Sequence, residues 1–447
     1  MKKNENQYVV NLFFIIIYLS FSIVYYLLDG YRSIGVLLLF LNLLAVAIII
    51  VESRLISLAK LFVVNFFALN YASLFYFTVL DSGGEKYVFV THMAFALFVL
   101  TYHVFSKRNE SYSEYELYTK LDMSRIGVLK AYLLFTPIIF SLVFMVVQFG
   151  PGALIDFSSH TRADTKEANG FLWLIAKYSL MFYLPCSFIQ GFYIPKAKLR
   201  HKLLIILTFV ILMIMVFLFL RTRTYLLGPI VTMAFGFLFS IIGRKSESIS
   251  ISGRQYIKIA MFAIIIISLA ASARFIRGII EVGEGSLNFG LIAEKTLVEG
   301  DLGYGHMIDK IIKYSDDFDI KLYGQSYYRL ILSPIPRSIY EGKPENTQRI
   351  VGKWLYPNST FMTVPPGIQG DAYINFGVLG VVVFIIFGSV CRVIDNNISV
   401  VNGIFVASSF MPMFHLVRGG FTNPIIILAF TYIFAVVVYN VFIIKKA

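Results

Sequence analysis

Long apolar runs separated by short basic links make up most of this chain. About twelve runs are long enough, at a rise of roughly 1.5 Å per helical residue, to cross a hydrocarbon core of about 30 Å. They fall at about 8–28, 34–51, 61–80, 88–105, 128–149, 171–193, 203–220, 225–243, 257–275, 377–394, 401–417 and 424–444. Lys and Arg gather in alternate links: Lys2 and Lys3 before the first run, then Arg54 and Lys60, then Lys107, Arg108, Lys120 and Arg125. Lys196, Lys198, Arg200 and Lys202 form a dense cluster, Arg244, Lys245 and Arg254 another, and Lys445 and Lys446 come last. Only the link beside Arg392 and Asp395 is weakly basic. Positive charge is retained on the cytoplasmic side, so the alternation predicts cytoplasmic termini, as an even number of spans requires. Met1-Lys2-Lys3 leads into the first run without a small-residue cleavage site, so the first helix is expected to stay.

The same pattern predicts an all-α polytopic membrane protein in three parts: residues 1–275 with nine spans and short links, an external loop over 276–376, and residues 377–447 with three more spans. A shorter polar loop is expected at 150–170, with Asp156, His160, Arg162 and Asp164. The long loop has no Gly/Ser-rich run and carries many apolar and aromatic residues. Helical periodicity over Ile308–Tyr314 and Tyr327–Leu332 points to a folded cap rather than a linker. No internal repeat of the kind common in transporters is visible.

Composition agrees: 58% of the 447 residues are hydrophobic and 15% charged, which excludes an ordinary soluble domain. The net charge of +13 arises mostly in the cytoplasmic links, and neither a basic tail nor a nucleic-acid motif accompanies it. Cys186 and Cys391 lie within apolar runs and read as small core residues. The chain has no phosphate-binding glycine loop, dinucleotide fingerprint, HExxH or CxxC. No cofactor and no metal are therefore expected, and energy must come from the substrate or a gradient.

The candidate chemistry lies in arginines at helix ends on the external side, where cations are normally sparse. Arg221 and Arg223 nearly fill one link, Arg274 and Arg277 end the ninth run, Arg418 ends the eleventh, and Arg337 lies in the long loop behind Ser333-Pro334-Ile335-Pro336. A single such arginine reads equally well as an interfacial anchor. As a set they point to an anion, and the planar guanidinium fork suits phosphate. A lipid-linked diphosphate carries its head group at that depth. A second feature is Pro365-Pro366-Gly367-Ile368-Gln369-Gly370-Asp371-Ala372-Tyr373-Ile374-Asn375-Phe376-Gly377, read as an irregular lead-in to the tenth run. Asp371 there is a candidate base or a helix-capping group. Tyr373 and Asn375 are candidate glycan contacts, and Trp354, Tyr356 and Phe361 read as stacking or anchoring aromatics. Among the histidines, His415, His306, His160 and His92 face the external side, with structural roles weighing more than catalytic ones. His103 and His201 lie toward the cytoplasm.

Ile335-Pro336-Arg337 with Lys343-Pro344, the Gly370–Gly377 stretch and the long loop before it resemble bacterial oligosaccharide repeat-unit polymerases, the Wzy-type O-antigen polymerases. The resemblance implies metal-independent inverting glycosyl transfer on the outer face of the bacterial inner membrane. An undecaprenyl-diphosphate-linked glycan would be donor, and a second lipid-linked repeat unit acceptor. Membrane lipids and a chain-length regulator protein are candidate partners; nucleic acid is not. In that frame Arg221, Arg223, Arg274, Arg277, Arg337 and Arg418 bind diphosphate, Asp371 is the first candidate base and His415 the second, and Tyr373 and Asn375 meet the glycan. An O-antigen ligase shares the arginine logic, and a flippase of the lipid-linked unit is the alternative outside catalysis.

Overall fold

The structure, a computed structural model, describes residues 2–52, 57–80, 83–105, 128–150, 171–220, 223–242, 304–332, 339–358, 363–397 and 399–443. Among these residues every regular element is helical and no strand occurs. In chain order the α-helices are α1 (Lys2–Leu27), α2 (Arg32–Glu52), α3 (Leu58–Phe75), α4 (Glu85–Val104), α5 (Val128–Leu133), α6 (Thr136–Phe149), α7 (Phe171–Tyr193), α8 (Leu199–Leu220) and α9 (Arg223–Ile242). They continue as α10 (Gly305–Asp317), α11 (Gln325–Ile331), α12 (Thr347–Leu355), α13 (Ile368–Phe376), α14 (Val383–Asn396), α15 (Val400–Ser408), α16 (Phe410–Gly419) and α17 (Thr422–Val438).

Eight helices among the described residues are long and apolar enough to cross a membrane, or nine if α15 and α16, bent by 51°, form one broken span. These apolar helices make the chain a membrane-embedded, all-helical protein. The expected run at 257–275 lies outside the described residues. The tenth run begins earlier than its hydropathy indicates: a single stretch from Ile368 to Asn396 passes the length and apolarity test. The Gly370–Gly377 motif is therefore helical, not an irregular lead-in, and continues through a 3-10 segment (Gly377–Val382) into α14.

The chain divides into two compact units. The first comprises Met1–Glu110, Phe289–Asn397 and Pro412–Leu428. Its apolar centre is a set of contacting rings, Phe62, Phe66, Phe98, Phe384 and Phe387. At one end of α14, Asp395 accepts hydrogen bonds from the Leu58 and Ala59 amides at 2.7 and 3.2 Å and from Tyr102 Oη at 3.1 Å. It thereby satisfies orphan donors of the first turn of α3, and Ser57 Oγ takes the Lys60 amide at 3.1 Å. The helical periodicity of the long loop is realised in α10 and α11. α10 turns Ile308, Ile311 and Ile312 inward and Lys310 and Lys313 outward. Ile311, Leu322, Val351, Val364 and Ile374 then form a small core, with Trp354 and Tyr356 against it.

The second unit comprises Ser111–Asn288, Ile398–Met411 and Ala429–Ala447. Both cysteines of the chain are buried and unbridged. Within this unit α7 and α9 pack along most of their lengths. Glycines permit the approach: a Cβ on Gly191 would stand 1.8 Å from the Met233 carbonyl oxygen, and one on Gly236 2.0 Å from that of Phe188. Small residues at such crossings let backbones close without a hydrophobic drive between helices. Gly191→Ala or Gly236→Ala is therefore expected to separate the pair at a cost of about 1–3 kcal/mol. Thermal unfolding in detergent should show a lowered midpoint for each, and an unchanged midpoint would refute this packing.

Candidate functional site

Two segments singled out by sequence, about fifty residues apart, meet within the first unit. Pro365 and Pro366 stiffen the approach to α13, and Gly367 (φ 73°) starts the helix. α16 ends at Gly419, and Gly420 at φ +86° turns the chain into α17. The Gly367 amide donates to the Arg418 carbonyl at 2.9 Å. The Phe421 amide donates to Asp371 Oδ2 at 2.8 Å, and Gln348 Nε2 donates to the Gly419 carbonyl at 3.1 Å. Gly420 is required twice over: its φ favours glycine, and a Cβ there would lie 2.8 Å from Asp371 Cβ.

Asp371 is fully buried. Besides the Phe421 amide it receives Ser326 Oγ at 3.3 Å and, more weakly, Asn375 Nδ2 at 3.4 Å on Oδ1. Asn375 Nδ2 bonds more strongly to Ser326 Oγ at 2.8 Å and to the Asp371 carbonyl at 2.7 Å. A general base needs an open face toward the hydroxyl it serves, and Asp371 has none here. Its geometry in this structure is that of a positioning group. Tyr327 packs its ring on Phe376 and Phe421. Burial, and then the nearby Asp371 carboxylate, hold its phenol well above the usual range, so it stays protonated.

The Arg418 guanidinium lies over the Tyr304 ring, 5.3 Å from its centroid, within cation–π range. Tyr304 Oη in turn donates to the Pro365 carbonyl. The loop helix α10, the proline approach and the end of α16 thus meet around one arginine. His415 lies one turn before Arg418 on the same helix, partly exposed and edge-on to Phe414. Arg223 is the first residue of α9. Arg221, Arg274, Arg277, Arg337, His160 and Phe361 lie outside the described residues.

Tyr373 and Asn375, read as glycan contacts, are both enclosed. Tyr373 Oη donates to the Asp316 carboxylate at 2.8 Å, which also binds Lys86 Nζ at 2.7 Å and Lys321 Nζ at 3.1 Å. Two other candidate histidines make contacts within the helix packing: His92 Nδ1 bonds Tyr18 Oη at 2.7 Å inside the helix bundle. His306 lies between Tyr76 and Phe77 with Nδ1 3.2 Å from Ser73 Oγ. Sequence reasoning missed Ser326, Asp316 and Lys321. The Gly419-Gly420 pair was a visible signal for the turn; an isolated serine in a loop helix offered none.

Fold and site together define a membrane-embedded helical protein with an enclosed acidic latch that fixes an arginine-bearing helix end. No protein-family model, no curated protein and no solved structure matches the chain.

Burial raises the Asp316 carboxyl, but hydrogen bonds from Lys86, Tyr373 and Lys321 and the Lys321 charge outweigh it, leaving it below its ordinary value. A depressed carboxylate contributes stability above its unfolded value and loses it as pH falls through the folded one. The difference in melting temperature between wild type and Asp316→Asn should therefore hold from about pH 5 to 8 and close only below about pH 4. A difference that vanishes already near pH 6 would refute the cluster. For Asp371, Ala strands the Phe421 amide and Ser326 hydroxyl and is expected to cost about 1–3 kcal/mol. Asn retains one acceptor and should recover part of that loss in the same melting experiment; equal losses would argue against a latch.

Proposed function

We propose that the protein is an oligosaccharide repeat-unit polymerase acting on lipid-linked diphosphates in the bacterial inner membrane, with twelve spans and both termini in the cytoplasm. The observation that carries this reading is the pairing of Gly367 with Arg418 and of Asp371 with Phe421. Through it the stretch that bears the family resemblance is folded around the helix-end arginine read as a phosphate ligand. Buried polar atoms beside Asp371 support a functional rather than purely structural cluster. Among the described residues Tyr327 Oη and Asn375 Oδ1 have no hydrogen-bond partner, and natural interiors leave few such groups without a reason.

In this reading the acceptor hydroxyl attacks the anomeric carbon of the donor sugar. The bond from that carbon to the diphosphate oxygen breaks with inversion, and the diphosphate leaves on its lipid. Arg418 stabilises the departing charge. Asp371 acts through the turn that carries Arg418. His415, one turn away and partly open, takes the hydroxyl proton. A ligase would use the same donor, and a flippase would place charge midway along its spans to line a central cavity.

The test is the glycan ladder from cells lacking the gene, complemented with wild type, Arg418→Lys or His415→Ala at equal protein level. Deletion is expected to leave single repeat units on the core. Arg418→Lys, which keeps charge but loses the fork, should lower polymer yield about tenfold or more. Glycan-free core with long lipid-linked polymer would instead identify a ligase. Single units trapped on the cytoplasmic face would identify a flippase. Either result overturns the reading.

A further inference from the structure

The second unit carries an apolar groove of about 560 Å³. Its walls are α5 with α6, α7, and the far end of α17. Each wall departs from a regular helix beside it. The chain breaks at Leu134 and Phe135 between α5 and α6, Pro185 interrupts α7, and α17 widens into a π-helix over Tyr439–Ile443. Such breaks bend or shift a helix away from its neighbours, and the groove is the space left between them. Two of the walls, Val128–Val147 and Thr422–Phe442, are long and apolar enough to cross a membrane, so the groove lies within the hydrocarbon.

Its depth follows from two ring contacts. Tyr178 meets Phe430 at 4.7 Å between centroids, and Phe182 meets Phe434 at 5.0 Å. Both steps are four residues, so α7 and α17 run in the same direction and in one register. Phe442, eight residues beyond Phe434, stands level with position 190 and lines one end of the groove, while Ile175 lines the other. That separation is fifteen residues, roughly 22 Å at a rise of about 1.5 Å each. One leaflet of a hydrocarbon core of about 30 Å is only about 15 Å deep. An acyl chain anchored at either face therefore ends before the groove does. A polyisoprenyl chain, longer than a leaflet, can follow it past the midplane.

The lining suits such a chain. Phe140, Tyr178, Phe182, Phe434 and Phe442 supply rings, and no charged residue is among the lining side chains described. A hydrocarbon chain gains little by moving from lipid to a surface of equal polarity, so shape and packing select the occupant. Stiff, planar alkene units lose less freedom against flat rings than a saturated chain does.

We propose that this groove holds the polyisoprenyl chain of the lipid-linked substrate. This deepens the polymerase reading and rests on it: in that reading α7 begins at the outer face, so the chain enters near Ile175.

The test uses purified full-length protein in detergent, with thermal unfolding as the readout. The probes are undecaprenyl diphosphate, geranyl diphosphate, which has the same head group on a short chain, and phosphatidylglycerol, each at equal mole fraction in the micelle. The wild type should need about tenfold less undecaprenyl than geranyl diphosphate, or better, for the same shift. Ser179→Phe, which places a ring inside the groove, should lose that preference while keeping the weaker response to geranyl diphosphate. If this variant does not fold, Thr136→Phe fills the groove from the opposite wall. A chain-length preference that survives filling overturns this inference and leaves the polymerase reading standing, as does equal stabilisation of the wild type by the long and short diphosphates. Equal stabilisation by phosphatidylglycerol overturns it in favour of ordinary lipid binding. No response of the wild type to either diphosphate overturns the polymerase reading with it.

Discussion

A carboxylate removed from water must find donors inside the protein, because an isolated buried charge is strongly unfavourable. Asp371 finds them in segments remote from one another: the Phe421 amide after α16, Ser326 in α11, and Asn375 one turn further along α13. Each donor is fixed by the others. The φ of Gly420 is acceptable because the chain must turn there to present the Phe421 amide, and no side chain fits between that turn and Asp371. The position of Arg418 is therefore set indirectly, by the hydrogen-bonding demand of an acid that has no opening to a substrate.

Two other acids of this unit, Asp395 and Asp316, work in a related way. Asp395 joins α14 to the start of α3 and to α4 through two amides and a phenol. Asp316 joins the loop helix α10 to α4 and α13 through two lysines and Tyr373. These three carboxylates connect segments distant in sequence, and the first two use backbone amides that would otherwise be orphaned. Asp316 is the most solvent-accessible of the three though still partly buried, so its ion pairs are screened by solvent and contribute less each than their short distances imply. Its value lies in geometry: it seats the amphipathic α10, and α10 carries Tyr304, on which Arg418 rests.

Much of this was legible in the sequence. Apolar runs announce membrane helices because hydrocarbon allows no other spanning structure here. The Pro365–Gly377 stretch and the Val417-Arg418-Gly419-Gly420 end were visible as unusual, and so was the helical periodicity of the loop. What could not be read was that the first two touch, since pairing across about fifty residues leaves no periodic mark. Nor was the burial of Asp371, Tyr373 and Asn375 legible. Polar residues ahead of an apolar run look like a surface lead-in, and their helical phase is masked by Gly370 and Gly377. Ser326 carries no local signal at all, because its role is defined only by what α13 brings to it.

Where this protein buries a negative charge, it supplies the compensating donors from its own chain, and the result is rigid. The turn at Gly420 and the start of α3 are thereby held at backbone amides, which no side-chain substitution at those positions can supply or remove.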